Sequence, residues 1–116
     1  MNSAFHFSAL SLVAAVWAGS ILCSSRASAA PDFAREVKPL LENYCYGCHG
    51  KGKKKGGVTL DQFTTAEAAI QDQKTWGAVL ENLRTGVMPP EEEKQPTLEE
   101  REKLEKWIDA VVFATD

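Results

Sequence analysis

The stretch Cys45-Tyr46-Gly47-Cys48-His49 constrains what this chain can fold into more than any other. Two thiols separated by two residues can form thioethers with the two vinyl groups of one porphyrin. The histidine directly after the second thiol then lies under the iron as its proximal ligand. Gly47 keeps a side chain out of the turn between the anchors, and Gly50 does the same where the chain leaves His49. The motif predicts Cys45 and Cys48 as covalent anchors of one haem c, with His49 on the iron.

Two other uses of the same residues are weaker. A structural zinc site takes about four protein ligands and a catalytic one about three, usually paired along the chain. The remaining cysteine and histidine, Cys23 and His6, lie in an N-terminal segment expected to be removed. A thioredoxin-like dithiol shares the Cys-x-x-Cys spacing but is expected beside a strand-helix-strand pattern, and none is visible. An all-helical, metal- or disulfide-stabilised binding module without haem stands as the runner-up.

Residues 9–22, ALSLVAAVWAGSIL, are apolar and uncharged, and CSSRASAA follows with Ala27 and Ala29 at the small-residue positions of a signal-peptidase site. The run is short of the ~20 residues that span a bilayer as a helix. It predicts a signal peptide over residues 1–30, cleaved after Ala29 or Ala30, a domain over 31–116, and no stable membrane insertion. The opening residues MNSAFHF carry no Lys or Arg and rely on the amino terminus for positive charge. Cys23 raises a lipoprotein alternative, although Ser20-Ile21-Leu22 lacks the small residue usual before a lipidated cysteine. Export to the periplasm or an equivalent compartment would put both thiols in an oxidising environment, where free thiols are unusual.

Removing Arg26 with the leader leaves twelve of the thirteen Lys and Arg against all sixteen Asp and Glu. Nucleic acid is a poor partner for such a surface. A domain of this size buries a limited core and often needs a staple or cofactor, which a covalent haem would supply.

Along the expected domain, Asp32 can cap a helix with Phe33, Val37, Leu40, Leu41 and Tyr44 on its apolar face, running into Cys45. Pro39 should kink it, or break it and lie in the first turn of a second short helix. KGKKKGG at 51–57 is too glycine-rich and charged for a regular element. Residues 58–60 should be extended, with Leu60 a haem contact. Thr64 with Glu67 reads as a capping box for a short helix through Ala68, Ala69 and Ile70. A further helix from about Lys74 to Arg84 would bury Trp76, Val79, Leu80 and Leu83, with Gly86 as its left-handed cap. Thr97 and Glu100 open the last helix, whose inner face is Leu104, Trp107, Ile108 and Val111. Glu99 with Lys103 and Glu102 with Lys106 are spaced for surface pairs. The pattern predicts an all-α domain.

Met88 is the second decisive residue. A thioether is a soft ligand suited to haem iron opposite an imidazole, and two prolines stiffen the loop that carries it. A methionine can also simply fill a core gap. Met88 is nevertheless the only methionine after the leader, in a glycine-proline loop downstream of His49, and ligation is the reading adopted.

From Phe33 to Val112 the chain resembles class I c-type cytochromes, and more narrowly the small cytochrome c domains of secreted planctomycete-type proteins. The resemblance rests on Phe33, Val37-Lys38-Pro39-Leu40-Leu41, Cys45-Tyr46-Gly47-Cys48-His49-Gly50, Gly57-Val58-Thr59-Leu60-Asp61, Met88-Pro89-Pro90 and Leu104-Glu105-Lys106-Trp107-Ile108. It implies a class I cytochrome c-like fold around one covalently attached haem, with Phe33 and Trp107 where the first and last helices cross. It also implies His49 and Met88 as the two axial ligands of a six-coordinate iron. Such a chain is expected to be a free-standing electron carrier or a subunit of a redox complex, and not itself an enzyme. Many class I members have a proline soon after the haem histidine. Gly50-Lys51-Gly52 stands there instead, so the carbonyl that receives the outer N–H of His49 is left open.

Other residues carry lesser expectations. Trp76 can serve as core or donate its indole N–H to a haem propionate, with core preferred. Arg84 can pair with a propionate or simply suit a helix C-terminus. Of Tyr44 and Tyr46, at least one should belong to the haem wall. No phosphate loop, nucleophile with a base or paired carboxylates can be argued, since GKGKKKGG lacks the strand-to-helix setting. An open axial position would instead suit a haem-based gas sensor or a peroxidase-like module. Lys51, Lys53, Lys54 and Lys55 after His49, and Glu91, Glu92 and Glu93 after Met88, are either solvated faces or a charged rim that orients protein redox partners.

Overall fold

The computed structural model describes residues 29–114. Apart from its last two residues, the expected leader lies outside the described residues, together with Cys23 and His6. Every regular element among the described residues is helical, as the sequence periodicity predicts.

Asp32 caps the first turn by accepting the Arg35 N–H at 2.8 Å. The chain then forms a wide π turn, Phe33–Val37, continuous with helix α1, Lys38–Tyr44. Pro39 lies in the first turn of α1, where a missing donor costs little. Pro39 thus takes the first-turn position expected for it, but the chain does not break there: Val37 and Lys38 keep helical backbone angles and only the winding changes from π to α. The short α2, Tyr46–His49, follows at once, and a single 3-10 turn at Lys55–Gly57 is the only regular piece of the lysine loop.

Helix α3, Ala66–Ile70, is capped by Thr65, which accepts from Ala68 N–H at 3.2 Å, and not by Thr64. Two adjacent threonines offer the same capping chemistry. With Thr65 as the cap, Phe63 before the pair and Ala69 after it are both buried. Helix α4, Gln73–Arg84, is capped by Asp72, and Gly86 follows its end at φ 73°, where a side chain would be strained. Helix α5, Leu98–Trp107, opens with the expected Thr97–Glu100 capping box and closes through a π turn, Ile108–Val112.

The core is built on two tryptophans. Trp76 of α4 and Trp107 of α5 are 0 % and 1 % exposed and meet edge to face, with ring centroids 5.2 Å apart. Phe33 packs on Trp107 at 5.2 Å and Phe63 on Trp76 at 5.3 Å. Such pairs each add about 0.5–1.5 kcal/mol beyond their buried area. The first and last helical segments therefore cross at Phe33 and Trp107. Polar ties reinforce the crossing: Tyr44 donates its hydroxyl to Glu100 at 2.8 Å, and Lys103 pairs with Glu36 at 3.7 Å.

Candidate functional site

A cavity of about 670 Å³ opens between the α1–α2 junction, residues 53–60, one side of α4 and residues 88–94. Its most constrained wall is the Cys-x-x-Cys-His turn. The Cys48 and His49 amides both donate to the Cys45 carbonyl, at 3.1 and 2.9 Å. The segment is thus one helical turn, in which residues three and four apart share a face. Cys45, Cys48 and His49 all line the cavity for that reason. Both cysteines open onto the cavity, and burial pushes Cys45 up to about 11. A reactive thioredoxin-like thiol carries the reverse shift, which counts against that alternative.

His49 is fixed by a backbone carbonyl. Its Nδ1 lies 3.1 Å from the oxygen of Val58, which can only accept, so Nδ1 carries the proton and Nε2 keeps its lone pair for a metal. Val58 thus supplies the carbonyl that the sequence left open. Its position is held by Leu60 N–H, which donates back to the His49 carbonyl at 2.6 Å, and by the turn preceding it. Lys51, at φ 53°, donates its N–H to Asp61 at 2.8 Å and closes the base of this loop.

The two glycines of the motif act differently from one another. Gly50 has φ −179°, an extended backbone that any residue adopts. What excludes a side chain there is space: a Cβ would stand 3.0 Å from Tyr46 Cβ and 3.1 Å from Asp61 Cγ. Gly47 lies inside α2, and apart from its chain neighbours and the helix backbone no described atom lies within 4 Å of a Cβ. Its open side is the cavity itself.

Of the other residues singled out by the sequence, Leu60, Tyr44 and Met88 line the cavity. Tyr46 is buried in the core beneath Gly50 and is not among the lining residues. Trp76 also lies in the core. Its Nε1 is the one buried side-chain polar atom without a partner among the described residues. Arg84 is bound to Asp109 and Glu105 of the C-terminal segment, and it too lies outside the cavity lining.

Sequence reasoning missed most of the α4 wall. Thr75, Ala78, Val79 and Asn82 line the cavity, while Trp76, Leu80 and Leu83 carry the core. The lining residues recur at i, i+3, i+4 and i+7, a second helical stripe beside the first. Their small and polar side chains hid a signal that large apolar residues give plainly.

Leu60, Val58, Val79, Pro89 and Pro90 give the cavity apolar walls, and one imidazole, one thioether and two thiols line it beside the polar Tyr44, Thr75 and Asn82 and the carboxylates of Glu92 and Glu93. Among the described residues no group of three or more His, Cys, Asp or Glu side chains is placed to hold a bare metal ion. The donor set and apolar walls fit a covalently attached haem.

An all-α domain with these residues on one cavity is consistent with a cytochrome c-like fold. The sequence model of the family described as Planctomycete cytochrome C matches residues 45–92. That stretch contains both thiols, His49 and Met88, and the match supports a cytochrome c-like assignment over this part of the chain. No curated protein and no solved structure shows a significant match to the chain.

Proposed function

We propose that this protein is a mono-haem c-type cytochrome of the class I kind, which carries single electrons between protein redox partners outside the cytoplasm and is not an enzyme. The observation that carries the reading is the convergence of Cys45, Cys48, His49 and Met88 on one apolar-walled cavity. When bound, haem supplies reversible one-electron exchange. Cys45 and Cys48 hold it to the chain as thioethers. His49 presents Nε2 to the iron while Val58 holds its other nitrogen, and Met88 offers its sulfur from the 88–94 loop. With both His49 and Met88 as ligands the iron would be closed to other molecules, which would favour electron transfer over gas sensing or peroxide chemistry.

The charged rim supports a role in partner encounter. Lys53 and Lys55 line the cavity together with Glu92, Glu93 and Lys94, so charges of both signs border it. We assign to Lys51, Lys53, Lys54 and Lys55 the steering of an anionic redox partner. The expected leader at 1–30 would deliver the protein to the periplasm or an equivalent compartment.

The test is ligand chemistry on the purified, haem-loaded protein. The oxidised form should show the weak long-wavelength methionine-to-iron band, and the reduced form should not bind carbon monoxide readily. A high-spin spectrum with ready carbon monoxide binding would replace electron transfer with the sensor or peroxidase reading.

A further inference from the structure

The backbone around Met88 is held at four consecutive points by groups of α4, of α5 and of Gln95 further along the same loop. Met88 N–H donates to the carbonyl of Asn82 in α4 at 3.2 Å. Arg101 of α5 donates through Nη1 to the Met88 carbonyl at 3.2 Å and to the Leu83 carbonyl at 2.7 Å. The next two carbonyls, of Pro89 and Pro90, accept from Gln95 Nε2 at 3.1 and 2.7 Å. The Gln95 amide oxygen in turn accepts from Arg101 Nη2 at 3.3 Å.

Prolines make this arrangement necessary. Pro89 and Pro90 have no N–H to place in a helix or ladder, so within the loop itself the strap has little more than the Glu93 N–H donated to the Pro90 carbonyl at 2.9 Å. Its carbonyls still need donors, and a planar guanidinium with a fork of N–H groups can serve several at once. Arg101 takes part in no ion pair among the described residues, so its charge is directed at these carbonyls and at Gln95. Charge-assisted bonds of this kind are stronger than neutral ones.

We propose that Arg101 and Gln95 are positioning residues for the Met88 sulfur. They set the strap that carries the ligand, and the pair sets how readily another molecule displaces that ligand from the iron. The proposal rests on the reading of Met88 as an axial ligand. A merely structural role would be filled equally by capping the end of α4 at Leu83, with no effect at the iron.

The experiment compares haem-loaded native protein, Arg101→Lys and Gln95→Ala by titration with imidazole as the displacing ligand, alongside the methionine-to-iron band. Thr97→Ala serves as control, since it weakens the start of α5 without touching the strap. Both strap variants should bind imidazole about tenfold more tightly than native protein, equivalent to about 1.4 kcal/mol. Their methionine band should fade at lower temperature, while Thr97→Ala loses thermal stability with unchanged imidazole affinity. Gln95 is exposed and outside any helix, so its variant decides the matter if Arg101→Lys fails to fold. A native methionine band with imidazole affinity unchanged in the strap variants would overturn the brace alone. Absence of that band from native protein would overturn the ligand reading and the brace with it.

Discussion

Replacing Gly50 by alanine should destabilise the protein through crowding rather than through backbone conformation. The residue is extended at φ −179°, ψ −178°, which alanine adopts freely, so the conformational cost is negligible. The added methyl would lie 3.0 and 3.1 Å from Cβ and Cγ of Tyr46 and 3.1 Å from Cγ of Asp61, inside ordinary van der Waals contact. Neither neighbour yields easily. Tyr46 is 5 % exposed in the core, and Asp61 is held by the Lys51 amide at 2.8 Å. Overpacking at such sites costs about 1–3 kcal/mol. For a domain of this size that is a fall in Tm of roughly 5–20 °C. The comparison is Gly77→Ala in α4, where the new methyl meets only Phe113 Cζ at an ordinary 3.5 Å. Reduced freedom of the unfolded chain should there give a gain of about 0.4–1 kcal/mol. Thermal melts of both haem-loaded variants by circular dichroism measure the contrast. A Gly50→Ala variant that melts at or above the native temperature would refute the steric argument.

Three further outcomes follow from the same geometry. Met88→Ala should keep its haem and helical content but lose the methodical signature of sulfur ligation, namely the long-wavelength band, and should gain carbon monoxide binding in the reduced state; spectra of the two forms check this. Glu100 is held below its ordinary carboxylate value, first by the Thr97 backbone hydrogen bond and then by the Tyr44 hydroxyl. A depressed folded pKa contributes stability above the unfolded value, and that contribution is lost as pH falls through the folded one. The stability gap between native protein and Glu100→Gln should accordingly shrink on acidification from neutral pH to below the carboxylate range, and denaturant melts showing a constant gap would contradict it. Replacing Lys51, Lys53, Lys54 and Lys55 by glutamine should slow electron transfer with an anionic small partner but not a cationic one. The difference should fade as ionic strength shortens the screening length to about 8 Å and less; stopped-flow rates that are equal at every salt concentration would make the loop an ordinary solvated surface.

The sequence was most legible where one residue type has one use. The cysteine-histidine turn, the cap at Asp32, the Thr97–Glu100 box and the glycine after α4 each serve local chemistry, and each was found where local spacing placed it. Long-range partners were not legible. Arg84 at the end of α4 could have paired with a haem propionate or simply suited the helix terminus, and Asp109 and Glu105 from the C-terminal segment take it. Tyr44 and Tyr46 flank the same cysteine, but only the fold separates them, one onto the cavity and the other into the core. Arg101 and Gln95 gave no signal at all, because a side chain that braces backbone carbonyls in a distant loop leaves no periodicity. The partner of His49 was likewise hidden, since any carbonyl brought within reach can accept its proton.

The central claim is that Cys45 and Cys48 hold one haem covalently in the cavity they line. Its most direct test is the intact mass under denaturing conditions of protein made in a host with working haem attachment, for the native chain and for Cys45→Ser with Cys48→Ser. The native chain should weigh one haem more than its polypeptide and stay red in acidified organic solvent, and the double variant should match the bare polypeptide. A colourless native protein at polypeptide mass would contradict the account.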